Sequence, residues 1–349
     1  LYPYVYLTCR VVFIMQGRIL ADAARTLGAN PARVFFRVLL PVSRPAIAAG
    51  VALVLMETLN DIGAAEYLGV RTLTFAVYST WLNRGSIEGA AQIALVMLAI
   101  VVLLLLAEQW ARRQQRFHQT RATQMKSPPL RRQLSGWRAT IAFVAAAAPV
   151  VFGFAIPVQV LGSYAIKRMD QIVDPALLSA LINSVLTAAA TAFTTVMIAL
   201  FMLNAARLAR SRLQNALTRS STLGYALPGT ILGFGLLYAL AAIDNGIGYA
   251  LKSITGASPG LLLSGTVVAV VLACSIRFVA LADGAIRSGM EKLPPHLDEA
   301  ARSLGRNPAQ SAQHVLLPLL RPAIFTAAIL VFVDTVKELS ATIVLRPFG

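Results

Sequence analysis

The sequence predicts an all-α, polytopic bundle of transmembrane helices made of two related halves, on three observations. Hydrophobic residues make up 57% of the 349 and charged residues only 13%, with a mean hydropathy of +0.68. A soluble domain carries about 25% charged residues. The apolar residues gather into runs long enough for a helix to cross a bilayer, which takes about 20 residues. Finally, a stretch near the start, ADAARTLGANPARVFFRVLLPVSRPAI at 21–47, returns at 298–324 as DEAARSLGRNPAQSAQHVLLPLLRPAI. Ala24 matches Ala301, Gly28 matches Gly305, Asn30-Pro31 matches Asn307-Pro308, and Leu40-Pro41 matches Leu317-Pro318. A constant offset of 277 positions marks two copies of one unit.

Taken in order, residues 1–15 read as the tail of a span, and full spans are expected near 47–68, 89–107, 139–162, 179–203, 222–243, 260–282 and 323–345. The division is a first half at 1–110, a basic linker at 111–138 and a second half at 139–349. In this register Gly349 matches Thr72, and the first half has no counterpart of 140–277, so the chain reads as a piece truncated at both ends.

Six spans separate the copies, so both face one side. Loops on that side (17–46, 111–138, 204–221, 283–322) hold 22 Lys and Arg, against 5 in the opposite loops. This asymmetry assigns the repeat side to the cytoplasm. The linker has eight basic residues and no acid. Its charges lie between apolar runs and not on a soluble basic face, which speaks for a cytoplasmic tether against anionic lipid and against nucleic acid as a partner.

Within each copy the spacing predicts a short helix, a tight turn and a second helix on the cytoplasmic face. Pro294-Pro295 opens the second copy, with Asp298 and Glu299 in the first helical turn, where acids meet the positive end of the helix dipole. Gly305 ends the short helix and Asn307-Pro308 caps the next, which runs toward Pro318. Asp22, Gly28, Asn30-Pro31 and Pro41 repeat the logic. Ala23-Ala24 and Ala300-Ala301 give each short helix a small-residue face that lets another protein approach.

Four acids are expected inside the membrane. Glu57 and Asp61, four apart, share a face of the span 47–68; Asp334 and Glu338 are their repeat mates in 323–345. Each costs about 2.5–3.5 kcal/mol at mid-span on insertion scales, so they should avoid lipid. Two readings stand: pairing, as for Asp334 with Lys337 three residues on, or lining a pathway, where carboxylate oxygens suit a hard cation. Gly224, Pro228, Gly229, Gly233 and Gly235 are placed in one span, with Gly229 and Gly233 spaced for close helix packing. Cys9 and Cys274 fit neither a disulfide framework nor a metal site.

The acid-Ala-Ala, three residues, Gly, then Leu-Pro pattern resembles the EAA loop of ABC importer permeases. Asp22-Ala23-Ala24 departs from the Glu usual there. The resemblance implies the type I importer fold, with two fused six-span halves. It also implies that both loops couple to a cytoplasmic ABC ATPase dimer, and that an external solute-binding protein delivers the solute. The segments 57–63 (ETLNDIG) and 336–342 (VKELSAT), with Tyr78 and Trp81, resemble the ferric-iron branch. Thiamine, phosphonate and polyamine permeases share the architecture. The chain has no G-x-x-x-x-G-K-[ST] loop, so ATP and Mg²⁺ belong to the partner ATPase and this chain binds no cofactor. The expected location is the bacterial inner membrane. A gradient-driven carrier is the competing class, since it too can be built from repeats with carboxylates at mid-membrane.

Overall fold

The computed structural model describes residues 1–14, 18–113, 134–169, 174–208, 223–256, 260–291 and 307–346, with 293, 303 and 305. In chain order the helices are α1 (Tyr2–Val12), α2 (Arg18–Thr26), α3 (Pro31–Asn60), α4 (Gly63–Tyr67), α5 (Leu73–Leu82), α6 (Ile87–Arg113), α7 (Trp137–Lys167) and α8 (Pro175–Leu208). They continue as α9 (Leu223–Ala226), α10 (Gly229–Thr255) and α11 (Val267–Met290). Then come α12, which runs from Pro308–Ser311 through Ala312–Leu316 into Leu317–Val336, and α13 (Ser340–Leu345). Among the described residues, seven helices are long and apolar enough to cross a membrane: α3, α6, α7, α8, α10, α11 and α12.

The boundaries differ from the hydropathy runs in instructive ways. Pro41 and Pro318 do not end the helices that approach them. In both copies a five-residue π-turn, Phe35–Leu39 and Ala312–Leu316, stands just ahead of the Leu-Pro. There the N–H of Leu40 reaches back to the Phe35 carbonyl, and that of Leu317 to the Ala312 carbonyl. The widened turn accommodates a proline ring without stopping the helix. The stretch expected to lie flat on the membrane face is therefore the first part of a spanning helix. At 1.5 Å per residue the 30 residues of α3 reach about 45 Å, beyond a hydrocarbon core of about 30 Å. Pro228 separates α9 from α10, so Gly224 and Gly229 do not share a helix.

The chain forms two compact units that interleave along the sequence: 1–58 with 102–179, and 59–101 with 180–349. In the first, Gly50 of α3 lies against α1. A Cβ there would come within 2.7 Å of Val5 Cα and of Thr8 Oγ1. The repeat mates are Ala327, Ala282 and Ala285, all in or against the core of the second unit. One copy sets the large residues against glycine; the other uses alanine throughout. Gly50→Ala is expected to destabilise by about 1–3 kcal/mol, because a backbone atom must give way. Thermal unfolding in detergent checks it.

The core of the second unit is built on α11, with Ala269, Ala273, Cys274, Ala282 and Ile286 fully buried against α12 residues Leu320, Ala327 and Val331. Asp244 of α10, itself buried, accepts from the N–H groups of Leu263 (3.0 Å) and Ser264 (2.7 Å), fixing the turn that leads into α11. A second cluster joins Val77 of α5 and Ala90 and Ala94 of α6 to Phe234 of α10 and Val344 of α13. Trp81 meets Phe234 edge-on at 5.5 Å.

Candidate functional site

Two features recur in both copies: a capped surface turn and a break in the helix that follows it. In the turn of the first copy, α2 closes on Gly28 at φ +80°, with Gly28 N–H bonded to Arg25 O (2.9 Å) and Ala29 N–H to Ala24 O (3.0 Å). The left-handed residue is open to glycine and costly to most others. Asn30 Oδ1 then accepts from Arg33 N–H at 2.8 Å, starting α3. In the second copy Gly305 sits at φ +76° and Asn307 Oδ1 accepts from Gln310 N–H at 2.8 Å. Gln310 Oε1 accepts in return from Asn307 N–H at 3.1 Å, completing a reciprocal capping box.

Ala23 is exposed and Ala24 half-buried. Asp22 is not in the first turn of its helix, because α2 starts a turn earlier at Arg18; its carboxylate instead pairs with Arg25 at 3.3 Å. Leu27, passed over in the sequence, is 88% exposed at the tip of the turn. A large apolar side chain between a small-residue helix and a turn glycine was the available signal. Asp298, Glu299, Ala300 and Ala301 lie outside the described residues. Pro41 and Pro318 sit just beyond the π-turns.

The breaks lie at Asp61 and Glu338, again 277 apart. Helix α3 ends at Asn60, so Asp61 does not continue the face of half-buried Glu57. It is exposed, and its Oδ1 accepts from Ala64 N–H at 2.9 Å, capping α4. Helix α12 ends at Val336, and Glu338 Oε1 accepts from Ala341 N–H at 3.0 Å, capping α13. Hydropathy reads each run as unbroken because the caps are single residues within apolar surroundings. Asp334 pairs with Lys337 at 2.9 Å, as the i,i+3 spacing suggested.

The second break is held by groups from other helices. Arg277 of α11 donates from Nη1 to Glu338 Oε2 at 2.6 Å, the two side chains only 5% and 8% exposed. Gly229, the first residue of α10, lies so close that a Cβ would stand 2.5 Å from Arg277 Nη1 and from Glu338 Oε1. Its N–H donates to Asn60 Oδ1 at 3.0 Å, and Ser340 Oγ donates to the Asn60 carbonyl at 2.5 Å. Gly63 faces Leu339 at van der Waals distance. The end of α3, the start of α10 and the second break thus converge on Arg277. Gly233 packs on Val344 and Ala341, so the Gly229–Gly233 spacing serves close helix approach. Arg277 stands ten residues from one end of the 24-residue α11, about 15 Å along its axis, so the knot lies near the middle of that spanning helix. Non-helical backbone is tolerated at such depth only where protein or a water-filled cavity surrounds it. Arg277 was missed in the sequence, although a lone basic residue in an apolar run calls for a buried acid. Among the described residues no group of three or more His, Cys, Asp or Glu could hold a metal ion.

Comparison with known proteins gives one family, described as binding-protein-dependent transport system inner membrane component, matching residues 1–116 and 203–346. An Fe(3+)-transport system permease protein of Haemophilus influenzae is 26% identical over 347 residues, covering 99% of this chain and 65% of the relative. A ferric transport system permease protein of Actinobacillus pleuropneumoniae is 25% identical over 347 residues, covering 93% and 47%. A molybdenum transport system permease protein of Escherichia coli is 34% identical over 100 residues, covering 27% and 44%. The chain therefore spans 65% of the first relative's length and less than half of the other two.

Proposed function

We propose, since this chain belongs to the family of binding-protein-dependent transport system inner membrane components, that it is the membrane-spanning part of an ATP-driven importer for ferric iron. The observation that carries the importer reading is the surface turn, built twice with the same glycine conformation and the same asparagine cap. Each turn leads through a π-turn into a helix that ends at a break, which gives a docked motor a direct route to that break. A gradient-driven carrier has no use for two matching docking turns. Iron is favoured by similarity to ferric permeases over nearly the whole chain, whereas the molybdenum relative matches 100 residues.

On this reading the turns face the cytoplasm and receive an ABC ATPase dimer that supplies ATP and Mg²⁺ chemistry. A solute-binding protein loads the opposite side. Residues 1–110 and 139–349 belong to two homologous halves. Glu57, Asp61, Asp334 and Glu338 border the route between them.

The test is a pull-down of the ATPase by the full-length permease. Ala23→Arg together with its repeat mate Ala300→Arg is expected to weaken retention about thirtyfold or more, the scale of losing an interface anchor. ATPase retained at wild-type level by a correctly inserted double variant would falsify the coupling role.

A further inference from the structure

Within the larger unit a chamber of about 780 Å³ opens between α8, the first turn of α11 and the second break. Its polar lining comes from Asn183, Ser184 and Thr187 of α8 and from Thr335, Glu338 and Thr342 around the break. Three of the hydroxyls have already committed their hydrogen to a backbone carbonyl four residues earlier. Ser184 Oγ donates to Ala180 O at 2.8 Å, Thr335 Oγ1 to Val331 O at 2.7 Å, and Thr342 Oγ1 to Glu338 O at 2.8 Å. A hydroxyl has one hydrogen and two lone pairs, so what these groups turn outward is lone pairs. An ionised Glu338 also only accepts. Asn183 offers a carbonyl beside its amide, and Thr187 can act either way. Among the described residues no Lys or Arg lines the chamber, and the Nη1 of Arg277 is spent on Glu338.

Such a wall discriminates between solutes by hydrogen-bond polarity. An oxyanion carries acceptors and needs N–H or O–H donors or free cations around it. A hydrated metal cation points the hydrogens of its own waters outward and finds acceptors here. At about 30 Å³ per water, a six-water shell takes roughly a quarter of the space. The neutral hydroxyls and a carboxylate already paired with Arg277 hold such a guest without stripping or trapping it, as conduction requires.

We propose that this chamber receives the transported metal cation with its water shell. Ser184, Thr335 and Thr342 select it by accepting from those waters and refuse oxyanions. The proposal rests on the importer reading and adds to it the cation class and the residues that set it.

The test uses the full-length permease with its ATPase in proteoliposomes, supplied with radiolabelled iron(III) on the solute-binding protein, or with molybdate. Thr335→Val with Thr342→Val keeps side-chain shape and removes the lone pairs. Iron uptake is expected to fall about tenfold, the worth of two lost hydrogen bonds, while Thr335→Ser with Thr342→Ser restores it to within about threefold. Thermal unfolding and ATPase co-purification establish that the valine pair is folded. If it is not, Thr342→Val alone, at a half-buried position, carries the same expectation at about threefold. Wild-type iron uptake by the folded valine variants overturns the chamber and leaves the importer reading standing. A wild-type protein that carries molybdate and not iron overturns the ferric reading before any variant is made, and the cation assignment with it.

Discussion

Replacing Arg277 by leucine is expected to cost about 3–5 kcal/mol of stability, the scale of stranding one charge of a buried pair. Both side chains are almost wholly enclosed, and the 2.6 Å contact is the bond that Glu338 Oε2 makes. Without Arg277, the carboxylate loses its paired cation and keeps the Ala341 N–H as a donor at the wall of the chamber. Arg277→Leu and Glu338→Leu should each lower the thermal midpoint in detergent strongly. The double variant should recover most of the loss, because an apolar pair of similar volume avoids the desolvation of both ions. A single variant within about 1 kcal/mol of wild type would mean that water in the chamber solvates the stranded charge as well as its partner did.

The second large effect is expected from Gly229→Ala, at about 1–3 kcal/mol. The added methyl would enter the space of Arg277 Nη1 and Glu338 Oε1, both 2.5 Å away, and would crowd Ser340 Cβ at 3.0 Å. Long side chains ordinarily step aside cheaply, but these two can do so only by parting from each other. The penalty should therefore shrink when Gly229→Ala is combined with the double leucine variant, whose branched side chains leave no ion pair to disrupt. A double-mutant cycle measures this, and simple additivity would show that the methyl acts on backbone instead.

Much of this arrangement was legible beforehand. The repeat register predicted the turn glycines, the asparagine caps and the equivalence of Asp61 with Glu338 to the residue, since each depends on local chemistry that a short motif records. The Asp334–Lys337 pair was legible for the same reason. The prolines misled because Pro41 and Pro318 carry a stop signal that a π-turn cancels, and no residue type announces a π-turn. The second break was hidden too: Lys337-Glu338-Leu339-Ser340 contains neither glycine nor proline, whereas Asn60-Asp61-Ile62-Gly63 offers a cap and a glycine. Arg277 escaped because a hydropathy window averages one charge away, and its partner lies 61 positions along the chain.

The spacing of the landmarks has a consequence for how such a chain can change. From Gly28 to Asp61 and from Gly305 to Glu338 the count of residues is identical, although many of the residues differ. Along α12, a single inserted residue would swing everything beyond it by about 100° and advance it by about 1.5 Å. Glu338 would then point away from Arg277 and the cap of α13 would be lost. Divergence between the copies is thus free in letters and forbidden in number, like two keys cut on one blank.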